Sequence, residues 1–204
     1  MSLLGRNRIP LSPTRRTNYT PDQTEIVSVV ENEPRIVTLE EVKEFLPVNH
    51  ADYDATIDRL IDSVTRQVES YIRRDLIKKN IRSYWHIVPR KANLSRGPHI
   101  AVDKVTITDS DGEETTLEEG VGYRIEGMKY KSLHDIHEYG QLTVEYTSGQ
   151  EKAQWPPEVA GAILQEISLQ FKNRQDPDTP AMTSVNNLSL EARHLLASLR
   201  RIAF

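Results

Sequence analysis

Histidine is the residue type most able to bind a metal or move a proton near neutral pH, and the chain has six. Only His134 and His137 lie close together, with Asp135 and Glu138 beside them. Metal sites on helices place their ligands three or four residues apart. This segment, however, reads as a turn that ends in Gly140, and the sequence offers no clear third ligand. We therefore predict a solvated hairpin loop here and no metal site.

An acidic run over residues 109–114 (DSDGEE) begins like a calcium-binding loop. Such a loop needs a bidentate glutamate at its twelfth position, and that position is Gly120. The pair Asp111-Gly112 is instead typical of a tight hairpin turn, because glycine readily adopts positive φ. The run is therefore predicted to be an acidic hairpin tip.

Sequence motifs of catalysis are missing from the chain. There is no glycine-rich phosphate loop and no G-x-S-x-G elbow. Without cysteine, the chain has no thiolate nucleophile, disulfide or cysteine-ligated zinc. Carboxylate pairs such as Glu40 with Glu44 read as ordinary solvated helix faces. We predict a protein that is not an enzyme and holds no cofactor.

The charge balance limits the classes of partner. The 204 residues include 26 Lys and Arg against 30 Asp and Glu, a formal charge of -4. This excludes a chain built mainly on phosphate neutralisation, because non-specific nucleic-acid binders are visibly basic. The apolar runs fall far short of the roughly 20 residues that span a bilayer, and the N-terminus lacks the apolar stretch of a signal peptide. We expect a soluble protein that stays where it is made.

Hydrophobic periodicity predicts an α+β fold: an N-terminal helix pair, a central β module and then C-terminal helices. The predicted parts are an extended N-terminal arm, an α+β core, a polar linker and a C-terminal helix, over residues 1–36, 37–173, 174–187 and 188–204. The predicted core elements are two helices, a mostly antiparallel module of about five strands and a third helix, over residues 38–46, 52–74, 81–148 and 157–173. The first helix begins at a capping box, Thr38-Leu39-Glu40-Glu41.

The N-terminal arm is basic and rich in proline, so on its own it should be disordered. Its candidate partner-binding residues are Arg6, Arg8, Arg15 and Arg16. A segment that orders on a protein partner is favoured over a solvated tail, and a DNA-binding arm comes last because Tyr19 is the one interleaved aromatic residue. Residues 26–30 are strand-like and are suited to pair with a sheet edge, in this chain or in a neighbour.

The C-terminal helix has an apolar stripe and a basic end. Its candidate partner-binding residues are Leu195, Leu199, Arg200, Arg201, Ile202 and Phe204. Two interpretations of the stripe stay open at this point: it binds a partner, or it packs on the long second helix of its own core.

The order of these segments resembles that of the phage head–tail connector proteins, also called adaptor or head-completion proteins. Residues 37–48 (VTLEEVKEFLPV) resemble the family's capped first helix, and residues 52–61 (DYDATIDRLI) the start of its long second helix. Residues 102–112 (VDKVTITDSDG) are similar to the hairpin module, and residues 142–146 (LTVEY) to a later strand that leads to Pro156-Pro157. The resemblance covers about residues 36–202. The arm and the linker are longer than is usual in the family.

The resemblance implies a structural virion protein at the head–tail interface, assembled in the host cytoplasm. Such proteins form an adaptor ring, usually of twelve copies, under the portal. The ring extends the DNA channel that serves packaging and ejection and provides the platform for stopper or tail. The implied partners are the portal protein, a stopper or tail-completion protein, neighbouring copies and passing double-stranded DNA bound without sequence specificity. No membrane is implied.

Two sets of residues gain an expected role from the resemblance. The C-terminal helix would be the main portal contact. The hairpin tip would face the channel lumen or a neighbouring subunit through Asp109, Asp111, Glu113 and Glu114. Alternative functions are a stopper or tail-completion ring protein, or a helical DNA-binding regulator, which the mixed charge of residues 52–74 disfavours.

Overall fold

The computed structural model describes residues 19–30, 33–48, 50–175 and 188–201, and within them the fold is α+β, as predicted. The α-helices are α1 (Leu39–Phe45), α2 (Asp54–Ile72), α3 (Pro157–Gln175) and α4 (Leu190–Leu196). The strands are β1 (Gln23–Val29), β2 (Lys79–Trp85), β3 (Lys91–Asn93), β4 (His99–Thr108), β5 (Glu114–Thr116), β6 (Arg124–Glu126), β7 (Ser132–His134) and β8 (Gln141–Ser148). Short 3₁₀ turns cover Ala51–Tyr53, Lys152–Gln154 and Ala197–Leu199.

The strands form two sheets. The larger has the order β1-β2-β8-β4-β5, and the smaller has the order β3-β7-β6. The β4–β5 hairpin is antiparallel, with Ile107 opposite Thr115, and β7 pairs antiparallel with both β3 and β6. The predicted module of about five strands omitted β3 and β7, which pair with each other in the smaller sheet.

Two compact units divide the chain. The first comprises the described residues of Met1–Glu25 together with Arg82–Ser95 and Asp103–Glu145, and it contains the smaller sheet. Alternating inward positions on its strands supply the core, as expected for strands with one buried face. Its fully or nearly fully buried apolar side chains include Trp85, Val105, Ile107, Leu133, Leu142 and Val144.

The second unit comprises Ile26–Ile81, Arg96–Val102 and Tyr146–Phe204, and it contains the four helices. Thr38 caps α1 with the predicted reciprocal bonds: its hydroxyl accepts from the Glu41 N–H, and its own N–H donates to the Glu41 carboxylate. The predicted apolar stripes of the two long helices are buried and belong to one hydrophobic cluster. Helix α2 ends earlier than predicted, because Arg73 adopts the left-handed conformation with φ 56°.

Candidate functional site

The C-terminal helix packs on its own core, which resolves the choice that the sequence left open. Leu188, Ala192 and Leu196 are buried in the cluster formed with α2 and α3. Leu195 and Leu199 pack against the same cluster from partly buried positions. The most deeply buried face of α4 is therefore that of Ala192 and Leu196, beside the predicted Leu195 and Leu199. Ile202 itself lies outside the described residues.

A buried carboxylate fixes the start of α4. Glu166 on α3 is only 2% exposed, and its carboxylate accepts from the Ser189 N–H at 2.9 Å. Ser189 in turn caps α4 by accepting from the Ala192 N–H at 3.2 Å. The carboxylate therefore lies where the helix dipole favours negative charge. Sequence reasoning missed Glu166, since a glutamate on a long amphipathic helix reads as solvated.

The basic end of the segment also contacts its own chain. The Arg201 N–H donates to the Ile72 carbonyl at 2.9 Å, and its guanidinium donates to the Arg96 carbonyl at 2.6 Å. Arg200 lies over the Tyr71 ring, 5.2 Å from its centroid. The predicted partner-binding residues Arg200 and Arg201 thus hold the segment on its own fold. Phe204 lies outside the described residues.

A buried ionic cluster joins the end of α2 to the start of β2, and no local sequence pattern predicts it. Lys79, 4% exposed, donates to the Glu69 carboxylate and lies 3.5 Å from Asp75. Arg96 pairs with Asp75, whose other oxygen accepts from the Ser148 hydroxyl at 2.7 Å. The two cations, Lys79 and Arg96, neutralise the two carboxylates, Glu69 and Asp75. The cluster therefore has its own internal partners and is not arranged to bind a charged ligand.

The acidic hairpin tip forms as predicted and is exposed. The Asp109 carboxylate accepts from the Asp111 N–H at 2.8 Å and from the Glu113 N–H at 3.0 Å. Gly112 adopts φ 85°, which the turn requires. The tip therefore presents Asp111, Glu113 and Glu114 to solvent, as an inter-subunit or lumen surface would.

The N-terminal arm is part strand. Arg6, Arg8, Arg15 and Arg16 lie outside the described residues. The strand-like run expected at residues 26–30 lies in β1 (Gln23–Val29), which pairs with β2 of the same chain. The strand is nevertheless exposed along its whole length. It carries one charge, Glu25, which accepts from the Arg82 guanidinium at 3.0 Å. The hydrogen bond from Arg82 to Glu145, with a smaller contribution from the bond to Glu25, raises the pKa of Arg82.

The described residues contain no cluster of three side chains able to hold a metal ion. His134, one of the histidines considered above, instead lies 3.1 Å from the Ser132 hydroxyl and 3.3 Å from the Glu126 carboxylate. No helix in the described part of the chain is long and apolar enough to cross a membrane.

Solved structures with a similar fold come from the necks of gene transfer agent particles. A chain in the neck of an empty particle, determined with C6 symmetry, has 16% identity and a TM-score of 0.67 over 89% of this chain and 97% of that one. A chain in the native particle's neck, determined with C12 symmetry, has 16% identity and a TM-score of 0.65 over 89% and 97%. These matches show that the chain shares its α+β fold with those neck chains.

The family model of the head completion proteins matches residues 35–192. The chain therefore belongs to the head completion protein family, which supports a structural head–tail connector role. Membership favours a structural protein over an enzyme and over a DNA-binding regulator. A comparison with curated proteins finds no match.

Proposed function

We propose that this protein forms the adaptor ring under the portal, extends the DNA channel and provides the platform for the stopper or tail. The observation that carries the proposal is the head completion family match over residues 35–192. The fold shared with neck proteins over 89% of this chain supports a location at the head–tail interface of a virion. Particle necks analysed with twelvefold symmetry support a ring of twelve copies.

In this proposal the portal contact is not made by a free C-terminal helix. Since α4 packs on its own core, portal binding is assigned here to the arm with Arg6, Arg8, Arg15 and Arg16. A segment that orders on its partner loses conformational entropy, which many simultaneous contacts around a ring offset. We propose that the basic arm makes the main contribution to the portal contact.

Electron microscopy of the purified protein mixed with its portal protein tests the proposal. The expected result is one added layer of density in contact with the portal, with the symmetry of a ring. A chain that deletes residues 1–18 should fold and lose this layer. Binding to a portal–adaptor complex but not to the portal would identify the stopper or tail-completion alternative. No added density with either would contradict a connector role.

A further inference from the structure

Strand β1 offers an unpaired backbone edge. The Asp22 N–H bonds the Tyr84 carbonyl at 2.8 Å, and the Val30 N–H bonds the Lys78 carbonyl at 3.0 Å. Because pairing alternates along an antiparallel strand, the even-numbered residues of β1 face β2. The N–H and C=O groups of Val27 and its odd-numbered neighbours therefore point to the other side, where no described strand pairs with them.

This edge lacks the usual protection against pairing with another chain. Edge strands are commonly blunted by lysine, proline or a bulge. β1 contains neither residue, and its one charge is paired with Arg82. Ile26, Val27 and Val29 are 48%, 52% and 49% exposed, so apolar surface lies on both faces of the strand. Addition of a further strand would cover it.

A groove beside β1 has room for the side chains of such a strand. It has a volume of about 650 Å³ and an apolar part formed by Ile26, Val29, Ile36, Ile61 and Ile77. The rest of its lining is polar or charged and includes Arg35, Asp62 and Arg66. These residues all belong to the second unit. Backbone bonds along the edge, with apolar and polar contacts in the groove, together make a site for β-strand addition.

The other edge of the same sheet is the best candidate for the added strand. β5 is the last strand in the order β1-β2-β8-β4-β5, and its three residues are exposed. The Leu117 N–H bonds the Val105 carbonyl, and the Asp109 N–H bonds the Glu113 carbonyl. The backbone groups of the odd-numbered residues in and around β5 therefore face β4. The backbone of Thr116 therefore points outward, as that of Val27 does.

The charges near the two sheet edges favour pairing of a β1 edge with a β5 edge over pairing of two identical edges. Residues 1–18, which precede β1, contain four arginines and no acid, whereas residues 109–114, which precede and begin β5, contain four acids. In parallel alignment, two β1 edges would bring the basic residues that precede them to the same end, and two β5 edges would do the same with the acidic tips. Parallel pairing of β1 with β5 instead brings basic residues toward acidic ones. It is favourable and is head-to-tail, the type of contact that generates a ring when it closes.

We propose that β1 of one copy pairs with β5 of the next copy, so that the sheets of neighbouring subunits join edge to edge. This inference rests on the proposed ring and specifies its subunit contact. The shared edge is short because β5 has three residues. The contact is therefore weak for a single pair and effective once a portal brings many copies together.

Thiol cross-linking tests the contact between copies. The chain has no cysteine of its own, so only introduced cysteines of this protein can react. Val27→Cys and Thr116→Cys proteins are mixed, assembled with portal and treated with a short bis-maleimide. Cross-linked dimers are expected from the mixture and not from either variant alone. Mixing Val27→Cys with Glu158→Cys, which is exposed on helix α3 rather than on a strand, is the control and should give no dimer. Dimers of Val27→Cys alone would contradict the proposal.

A pair of variants at Val27 distinguishes the contribution of the backbone N–H from that of the side chain. Val27→Pro removes an outward N–H without breaking a bond to β2, and Val27→Ala shortens the side chain but keeps that N–H. Both should unfold at nearly the same temperature, and Val27→Pro alone should lose ring formation on the portal. Rings with Val27→Pro, or wild-type rings without cross-links, would refute the edge contact and leave the adaptor function intact. Absence of a wild-type ring would instead refute the function.

Discussion

At the scale of single residues, the buried ionic cluster is the feature on which stability depends most strongly. Glu69, Asp75 and Lys79 are each at most 4% exposed. Removal of one partner from a buried cluster leaves an uncompensated charge. Arg96, which is partly exposed, would then face two carboxylates alone.

Lys79→Met should therefore lower the free energy of unfolding by about 3–5 kcal/mol, measured by urea denaturation. The matched control is Lys104→Met, also on a strand but exposed, which should change it by less than about 0.5 kcal/mol. Equal effects from the two variants would show that the cluster is not important for stability.

Glu41 gives the protein a specific sensitivity to acid. The Lys152 ammonium, 2.9 Å from the carboxylate, and the Thr38 N–H hold the pKa of Glu41 below its ordinary value. The stabilisation is therefore fully present above the ordinary glutamate pKa of about 4.3 and is lost as the pH falls through the lowered pKa. The pair is partly exposed, so its contribution is small, less than about 1 kcal/mol.

Glu41→Gln should lower the melting temperature at pH 7, and the difference from wild type should shrink as the pH falls below the ordinary glutamate range and through the lowered pKa. Thermal unfolding followed by circular dichroism measures the difference. Glu44→Gln removes the same charge from an exposed position on α1 and should show no such convergence. A gap between Glu41→Gln and wild type that stays constant with pH would contradict the ion pair.

At the scale of elements, α4 is part of the folded core. Leu196 is fully buried, whereas Leu190 on the same helix is 69% exposed. Leu196→Ala should lower the free energy of unfolding by about 2–5 kcal/mol, the range for truncation of a buried leucine. Leu190→Ala is the control and should change it by less than about 0.5 kcal/mol. Similar, small effects would mean that α4 is detached in solution.

At the scale of the whole molecule, association should depend on a template. The proposed edge contact between copies is short, and the proposed portal contact is made by the basic arm. We expect sedimentation of the dilute purified protein to show a monomer, and addition of portal to produce a ring. A stable ring in the absence of portal would contradict this expectation.

The net charge governs the interaction with DNA. At -4 per copy, a ring is strongly negative, so like charges discourage the adsorption of passing DNA. The isolated protein should show no salt-dependent retention of double-stranded DNA in a filter-binding assay at physiological salt. Tight binding that weakens steeply with salt would favour the regulator alternative instead.

Local features of the fold were predictable from the sequence because their causes lie within a few residues. The capping box at Thr38, the turn at Gly112 and the apolar stripes of α2 and α3 are confirmed. Each depends on neighbouring backbone groups or on helical spacing, which the order of amino acids specifies directly. The resemblance to head completion proteins rests on the order of these same features.

Only the tertiary structure decided where separate segments meet. Glu69, Lys79 and Glu166 read as solvated charges in the sequence, and they are buried because partners distant in the chain surround them. The buried face of α4, and the side of β1 that has no partner among the described strands, depend on contacts between elements far apart in the chain. Burial of a charge or of an apolar face is a property of the assembled surroundings, so no local pattern could specify it.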